Sequence, residues 1–299
     1  MFTKITYYLT FAWMYLHAML PFRLLYILSD ILYLLVYYVV GYRVKVVRKN
    51  LKNSFPDKAH KELRQIERNF YHHLCDYFVE TMKLLHISDK QMQERFVFTN
   101  PEIIRERMKD KSAILYLGHY GNWEWITSIT LVLDKNDPDI VAAQVYRPLK
   151  SKAFDDIFLK LRKRFKSVGI PKNHTLRAII NFRNEGKRSI IGMISDQTPS
   201  WANIHYWTKF LNQDTPVFTG AERIAKQTGF AVYYLDVQKT GRGKYTGTFE
   251  LLSETPKSEP ENAITEMYIR KFENTILRNP AYWLWSHNRW KHKKSDFVK

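Results

Sequence analysis

Residues 116–125, Tyr-Leu-Gly-His-Tyr-Gly-Asn-Trp-Glu-Trp, constrain the fold more than any other part of the chain. They follow a short apolar run at 113–117, which predicts a buried strand, and they lead into residues 126–133, which predict a helix. Gly118 and Gly121 allow the backbone to turn tightly between the two elements. The pattern therefore predicts a strand, a glycine-rich turn that carries a histidine, and a helix.

His119 and Glu124 in this stretch form a candidate acid/base pair. On one continuous helix their side chains would point about 140° apart, because successive residues are about 100° apart. They can meet only if the chain turns at Gly121 and Asn122, and Asn122 is both a predicted N-cap of the next helix and a candidate substrate-binding residue. We predict His119 as general base and Glu124 as its carboxylate partner. A structural histidine is the alternative; a metal site would need a third ligand, and none lies at a suitable spacing.

The rest of the chain alternates between strand and helix patterns, which predicts an α/β fold with a mixed, largely parallel sheet flanked by helices. Further strands are predicted at 140–146, 189–195, 230–237 and 245–252, helices at 57–85, 154–165, 176–182, 220–228 and 261–278, and a long loop at 201–219. Parallel sheets bind ligands at the carboxyl ends of their strands. Polar residues follow three of these strands: His119 to Glu124, Arg147, and Asp196 with Gln197.

The first 42 residues are more apolar than the rest, and we expect them to form a membrane anchor ahead of a catalytic domain at 43–299. Residues 24–41 would form a helix about 27 Å long, close to the roughly 30 Å of a bilayer core. Residues 5–20 suit an interfacial helix. The basic cluster Arg43, Lys45, Arg48 and Lys49 would face anionic headgroups on the cytoplasmic side. The alternative for residues 24–41 is a buried helix of a soluble core.

The net charge of +18 indicates an acidic partner, which could be nucleic acid, anionic lipid or an acidic carrier protein. Basic residues between 160 and 166 fit such a partner, or simply a solvated helix face. Cys75 is the only cysteine and lies among bulky residues, which indicates a buried structural thiol. The aromatic and basic residues at 283–291 suit a membrane interface.

The spacing of His119 and Glu124 resembles the HX4D/E motif of glycerolipid acyltransferases, and Gly-His-Tyr-Gly-Asn-Trp-Glu at 118–124 is similar to the bacterial lipid A biosynthesis (late, or secondary) acyltransferase family. The other matching segments are Tyr-Arg at 42–43, Asn-Leu at 50–51, Ser-Phe-Pro at 54–56, Val-Tyr-Arg-Pro at 145–148, Asp-Gln at 196–197, Thr-Gly at 219–220 and residues 283–291. Asn288 departs from the family pattern, which often has a basic residue near this position.

This resemblance implies an inner-membrane enzyme with an N-terminal helical anchor and a cytoplasmic α/β domain. It would transfer a fatty acyl chain from an acyl carrier protein or coenzyme A thioester to a hydroxyl of a membrane lipid, most often in a late acylation of lipid A, with no metal or other cofactor. His119 would deprotonate the hydroxyl, Glu124 would orient the imidazole, and Arg147 would bind a phosphate. Asp196 and Gln197 would support the site or bind polar groups of the substrate.

Three alternatives stay open from the sequence. The acceptor could be another bacterial lipid, such as a lysophospholipid or an aminolipid. A basic nucleic-acid-binding protein would fit the charge, although it leaves the N-terminal apolar run and His119 unexplained, so we expect no nucleic-acid partner. A catalytically silent membrane scaffold would fit the fold. The acyl chain length and the choice between the two donors depend on features that a sequence does not display.

Overall fold

A computed structural model describes residues 2–134 and 137–296 of the chain. The helices are α1 (Phe2–Met19), α2 (Phe22–Tyr33), α3 (Val44–Ser54), α4 (His60–Lys83), α5 (Asp89–Arg95), α6 (Pro101–Arg107), α7 (Lys152–Arg162), α8 (Thr175–Asn184), α9 (Gly220–Thr228) and α10 (Ala263–Arg278). The strands are β1 (Phe96–Phe98), β2 (Ala113–Leu117), β3 (Ile140–Tyr146), β4 (Val168–Pro171), β5 (Arg188–Ile194), β6 (Tyr206–Phe210), β7 (Gln213–Val217), β8 (Ala231–Gly241) and β9 (Lys244–Ser253).

Seven strands form one mixed sheet in the order β1-β9-β8-β2-β5-β3-β4. All neighbours in it are parallel except the β8–β9 pair. Strand β2 lies in the middle of the sheet, and every one of its five residues is buried, as expected for a parallel strand covered on both faces. The predicted α/β fold with a largely parallel sheet is confirmed.

Strand β2 ends at Leu117 and β3 at Tyr146, as the apolar runs predicted. The helix predicted after the glycine turn is instead a 3-10 helix, Trp125–Leu131. Cys75 is buried, and burial raises the pKa of its thiol to about 12, which confirms a structural thiol.

The predicted loop at 201–219 is wrong in its central part, because it contains the antiparallel hairpin of β6 and β7. Its turn places Leu211 and Asn212 at φ angles of 48° and 63°, a left-handed conformation that usually requires glycine. No glycine stands there to signal a hairpin in the sequence. The hairpin packs on the outer side of α10, where Thr208 donates a hydrogen bond to Glu266.

The two N-terminal helices pack on the rest of the protein. Helix α2 continues through a π-helical turn, Leu34–Val39, and lies along α4, while α1 contacts α4 and α7. Within the described residues, Phe22–Val39 is the one helical stretch long and apolar enough to cross a bilayer. It also forms many polar contacts with the rest of the protein.

Candidate active site

The register of the central sheet brings His119 and Asp196 together. Strands β2 and β5 are parallel neighbours in which Leu117 is opposite Ile194, and the pairing continues through a hydrogen bond from the Ser195 amide to the Leu117 carbonyl. Continuing that register by two residues sets His119 opposite Asp196. The predicted meeting of polar residues at the carboxyl ends of strands therefore follows from strand order and register.

The His119 imidazole is held at both nitrogens. Its Nδ1 lies 2.7 Å from Oδ1 of Asp196, and its Nε2 lies 3.2 Å from Nε2 of Gln197. Because a carboxylate only accepts hydrogen bonds, Nδ1 of the neutral ring carries the proton and Nε2 carries the free lone pair. The side-chain amide of Gln197 then donates to that lone pair. In this tautomer Nε2 can accept a proton, as a general base must.

Asp196 is buried, and its second oxygen Oδ2 accepts a hydrogen bond of 2.8 Å from the Trp283 indole N–H. Burial alone would raise the pKa of this carboxyl, but the charge and hydrogen bond of His119 together with the Trp283 N–H hold it below its usual value. Asp196 is therefore an ionised group that fixes the ring and stabilises its protonated form. It does not reach the cavity as a substrate-binding group.

Glu124 lies elsewhere than predicted. Both of its carboxylate oxygens accept hydrogen bonds from the Arg162 guanidinium of α7, at 2.7 and 2.9 Å. Among the described residues, the hydrogen-bond partners of the imidazole are Asp196 and Gln197 rather than Glu124. The expected His119–Glu124 pair is replaced by a His119–Asp196 pair and a separate Glu124–Arg162 ion pair, because a guanidinium binds a carboxylate in a bidentate manner. Local spacing could not reveal that α7 delivers this arginine.

Asn122 is fully buried and supports the turn rather than contacting substrate. Its Oδ1 accepts a hydrogen bond from the Trp125 amide, as a capping side chain does, although the 3-10 helix has Glu124 rather than Asn122 at its N-cap, and its Nδ2 donates to Glu80 of α4. Its predicted substrate-binding role is therefore wrong, since both ends of its amide have protein partners and none of its surface is exposed. Gly121 adopts a φ of 61°, so this turn requires glycine.

The C-terminal segment forms the other support of the His119 turn. The Leu284 amide donates to the His119 carbonyl at 3.1 Å, and the Gly121 amide donates to the Tyr282 carbonyl at 3.0 Å. Trp283 and Trp285 are buried, so the predicted membrane-interface role of this segment is wrong for them. Trp283 packs against the turn and donates to Asp196, whereas Trp285 packs on Trp283 and donates to the Pro280 carbonyl.

Two of the other segments that resemble the acyltransferase family, at 42–43 and 50–51, support this C-terminal segment from α3 and its N-cap. The Asn50 side-chain amide donates to the carbonyls of Trp285 and His287, both at 2.9 Å. Arg43 donates to the Ser286 carbonyl at 3.0 Å. These segments near the two ends of the sequence are therefore far apart in the chain and adjacent in space.

His287 also belongs to this unit. It accepts a hydrogen bond at Nε2 from the Thr198 amide, in the loop that carries Asp196 and Gln197. Burial lowers the pKa of its imidazole to about 4, so the ring is neutral at physiological pH. His287 lies within the C-terminal segment 283–291, and its position in the sequence predicted no role for it.

A cavity of about 650 Å³ opens beside His119, a volume typical of small-molecule sites. Its inner wall is apolar and comes from strands β2, β3 and β5 together with the 3-10 helix, through Leu117, Ala143, Ile190, Ile194, Ile126 and Ile129. Its polar lining includes His119, Gln197, Arg147, Lys172, His205 and Arg223. The cavity therefore combines apolar walls with a basic histidine and several cationic side chains.

Arg147 stands at the end of β3, exposed and lining this cavity, as the sequence predicted for its position. The nearby basic residues at 160–166 have mixed surroundings. Arg162 binds Glu124, Arg164 binds Asp89 at 3.3 Å, and Lys160 lies over the Phe11 ring of α1. Part of this basic stretch is therefore used inside the protein.

A part-buried histidine bonded to a buried aspartate at the carboxyl ends of parallel strands, beside a cavity with apolar walls and cationic groups, is an arrangement typical of α/β enzymes that use acid/base chemistry. Comparison with known families agrees with this class. The chain belongs to the bacterial lipid A biosynthesis acyltransferase family, whose model matches residues 1–292. A search of curated proteins finds no match.

Proposed function

We propose that this protein transfers a fatty acyl chain from an acyl carrier protein or coenzyme A thioester to a hydroxyl of a lipid A precursor, as a late acylation step. The observation that carries the proposal is the imidazole of His119, whose Nδ1 is hydrogen-bonded to Asp196 while Nε2, next to Gln197, faces a cavity with both apolar walls and cationic side chains. Membership of the family supports the reaction class.

In the proposed reaction the acceptor hydroxyl displaces the Gln197 amide from Nε2 of His119 and loses its proton to that nitrogen. Its oxygen attacks the thioester carbonyl, so that a C–O bond forms and the C–S bond breaks. The imidazolium then returns its proton to the leaving thiolate. Asp196 stabilises the imidazolium through Nδ1, and no covalent acyl-enzyme is needed.

The walls of the cavity fit the two substrates. Apolar side chains of the sheet offer a surface for the acyl chain, which gains about 0.8 kcal/mol for each methylene group removed from water. Arg147, Lys172 and Arg223 offer positive charge for phosphates, which lipid A precursors and both thioester donors carry. We place the site on the cytoplasmic side of the inner membrane, where both thioesters are found.

In this proposal Glu124 has an indirect role. Its bidentate pair with Arg162 fixes α7 against the turn that carries His119, and both residues line the cavity. Removing the carboxylate would leave the Arg162 guanidinium, which is only 20% exposed, without its partner. Loss of activity in a Glu124 variant would therefore follow from a disturbed cavity wall.

The test is an assay of purified enzyme in detergent with a lipid A precursor and either acyl carrier protein or coenzyme A thioesters, read by mass spectrometry. We expect acylated lipid from the wild type and none above background from His119→Ala. His174→Ala is the matched control, since His174 lies outside the cavity lining. Full turnover by His119→Ala would contradict the proposed mechanism. Acylation of a lysophospholipid, with none of the lipid A precursor, would contradict the proposed acceptor.

A further inference from the structure

Helix α2 carries two opposite faces, and one of them is polar and bound to the protein. Three side chains of this face donate hydrogen bonds to carboxylates of α4: Tyr26 to Glu80 at 3.1 Å, Ser29 to Asp76 at 2.8 Å, and Tyr37 of the π-helical turn to Glu67 at 2.7 Å.

Asp30 lies in the middle of the same face. It pairs with Arg242 in the β8–β9 turn at 2.6 Å, and with His72. These contacts run along the whole length of the helix.

The start of α2 also packs on the rest of the protein. At its start, Arg95 lies 3.5 Å over the Phe22 ring, and Lys83 donates to the carbonyls of Ala18 and Leu20, at the turn between α1 and α2. Helix α1, which precedes α2, packs on the rest of the protein as well. Lys160 of α7 lies 3.9 Å from the centre of its Phe11 ring.

The opposite face of α2 is apolar and faces outward. Its large side chains recur at helical spacing and are each about half exposed, between 46% and 60%: Leu24, Ile27, Ile31, Leu34, Leu35 and Tyr38. Helix α1 adds exposed apolar groups, among them Leu9, Trp13 and Leu16. A continuous apolar surface of this kind on a water-soluble protein would be unfavourable, and it marks an interaction surface.

This geometry is incompatible with a spanning α2. A spanning helix would put Asp30 and its partner Arg242 near the bilayer centre, and it would also bring into the membrane the exposed Arg68 and Asn69 of α4, which follow the Tyr37 partner Glu67. A single charged residue there costs about 3 kcal/mol on insertion scales. It would also send α1 to the far side of the membrane, away from α4 and α7, which it contacts.

Charge identifies the occupant of the apolar face. Asp30 is the only acidic residue in the first 56 positions, and Arg242 neutralises it. Exposed bases border the helices: Arg23 near the start of α2, and Lys45, Lys49 and Lys52 on α3. An apolar face with a cationic border fits the headgroup region of an anionic bilayer.

We infer that α1 and α2 lie in the plane of one leaflet and hold the enzyme on the membrane from a single side, with no segment of α2 crossing the bilayer. The inference rests on the proposed location at a membrane, but not on the identity of the acyl group or the acceptor. In this arrangement residues 24–41 lie on the membrane and do not span it.

The test is cysteine labelling with a membrane-impermeant maleimide, using Lys4→Cys in α1 and Lys45→Cys in α3 of the full chain. We expect both positions to label in inverted inner-membrane vesicles and neither in intact spheroplasts. The unmodified chain is the control, since Cys75 is 2% exposed and should not react. Labelling of the two positions from opposite sides would overturn the inference while leaving the membrane location standing. Recovery of the protein in the soluble fraction would overturn both.

A second measurement tests the apolar face directly. The triple variant Leu24→Ser, Ile27→Ser, Ile31→Ser should bind vesicles of phosphatidylethanolamine and phosphatidylglycerol at least ~10-fold more weakly than the wild type. Leu251→Ser and Leu277→Ser, which change equally exposed residues on β9 and α10, should bind as the wild type does. Unchanged binding by the triple variant would contradict a leaflet-embedded face.

Discussion

At the residue scale, the main result is the partner of His119. The sequence offers Glu124 five positions away, but the structure pairs the imidazole with Asp196, which is 77 positions away. The two residues meet because β2 and β5 are in-register neighbours, and strand order cannot be read from local spacing. The histidine site at a strand end and a supporting place for Asp196 were predicted from sequence, whereas the direct pairing of Asp196, rather than Glu124, with the imidazole was not.

Replacing Asp196 with Asn should lower kcat by about 10²-fold or more, because an amide no longer stabilises the protonated ring and can force the wrong tautomer. Kinetics with both substrates varied would measure the loss, and circular dichroism would check the fold. Asp214→Asn is the matched control, since Asp214 pairs with Lys209 on the surface of the β6–β7 hairpin. Wild-type kcat in Asp196→Asn would remove Asp196 from the proposed site.

Arg147→Ala should raise KM for a phosphorylated acceptor about 10-fold while kcat changes little, because the lost contact binds ground state and transition state alike. Steady-state kinetics with the acceptor varied would show it. Arg183→Ala removes an exposed arginine of α8 outside the cavity lining and should leave KM unchanged. Equal KM values for Arg147→Ala and the wild type would contradict the proposed contact between Arg147 and a substrate phosphate.

At the element scale, the strands β2, β3 and β5 could be predicted because continuous apolar runs bounded by polar residues are typical of buried parallel strands. The β6–β7 hairpin could not, since its turn uses Leu211 and Asn212 where a glycine would have been the signal. The tryptophans at 283 and 285 resembled a membrane-interface pattern, but both are buried: Trp283 donates to Asp196, and Trp285 donates to the Pro280 carbonyl. Composition suggests an environment for such residues, and only packing assigns it.

The end of β2 and helix α10 approach so closely that a side chain at position 118 would clash. A Cβ at this position would overlap the Phe272 ring. Gly118→Ala should therefore lower the free energy of unfolding by about 1–3 kcal/mol, as overpacking does in other cores. Urea denaturation in detergent would measure it, and Phe272→Leu in the same chain should recover part of the loss. Additive losses in the double variant would show that the two residues do not clash.

The loop after β5 should respond to pH through His287. Its pKa of about 4 lies below the usual value of about 6.5, so between these pH values the unfolded chain binds a proton that the folded chain does not. This group's contribution to stability is therefore complete above pH ~6.5 and falls as pH drops toward 4, by at most about 3 kcal/mol. His287→Gln, which still offers an acceptor to the Thr198 amide, should lose less stability over that range in urea titrations. Parallel stability curves would contradict this.

At the scale of the whole molecule, helix α2 and the turn that carries His119 share one buried carboxylate. Glu80 of α4 accepts hydrogen bonds from Tyr26 of α2, from Asn122 in the turn, and from Tyr245 of β9. Burial raises its pKa, and the three donors satisfy it without exposure to water. The surface that we assign to the leaflet is thus built rigidly onto the turn that carries His119.

We propose that this protein acylates a lipid A precursor through His119 and Asp196. Mass spectrometry of lipid A from a deletion strain tests it most directly, with the strain complemented by the wild type, His119→Ala or Asp196→Asn. We expect deletion to remove one acyl group, the wild type to restore it, and neither variant to do so fully despite equal amounts in the membrane. Lipid A that is unchanged by the deletion, or fully restored by His119→Ala, would contradict the account.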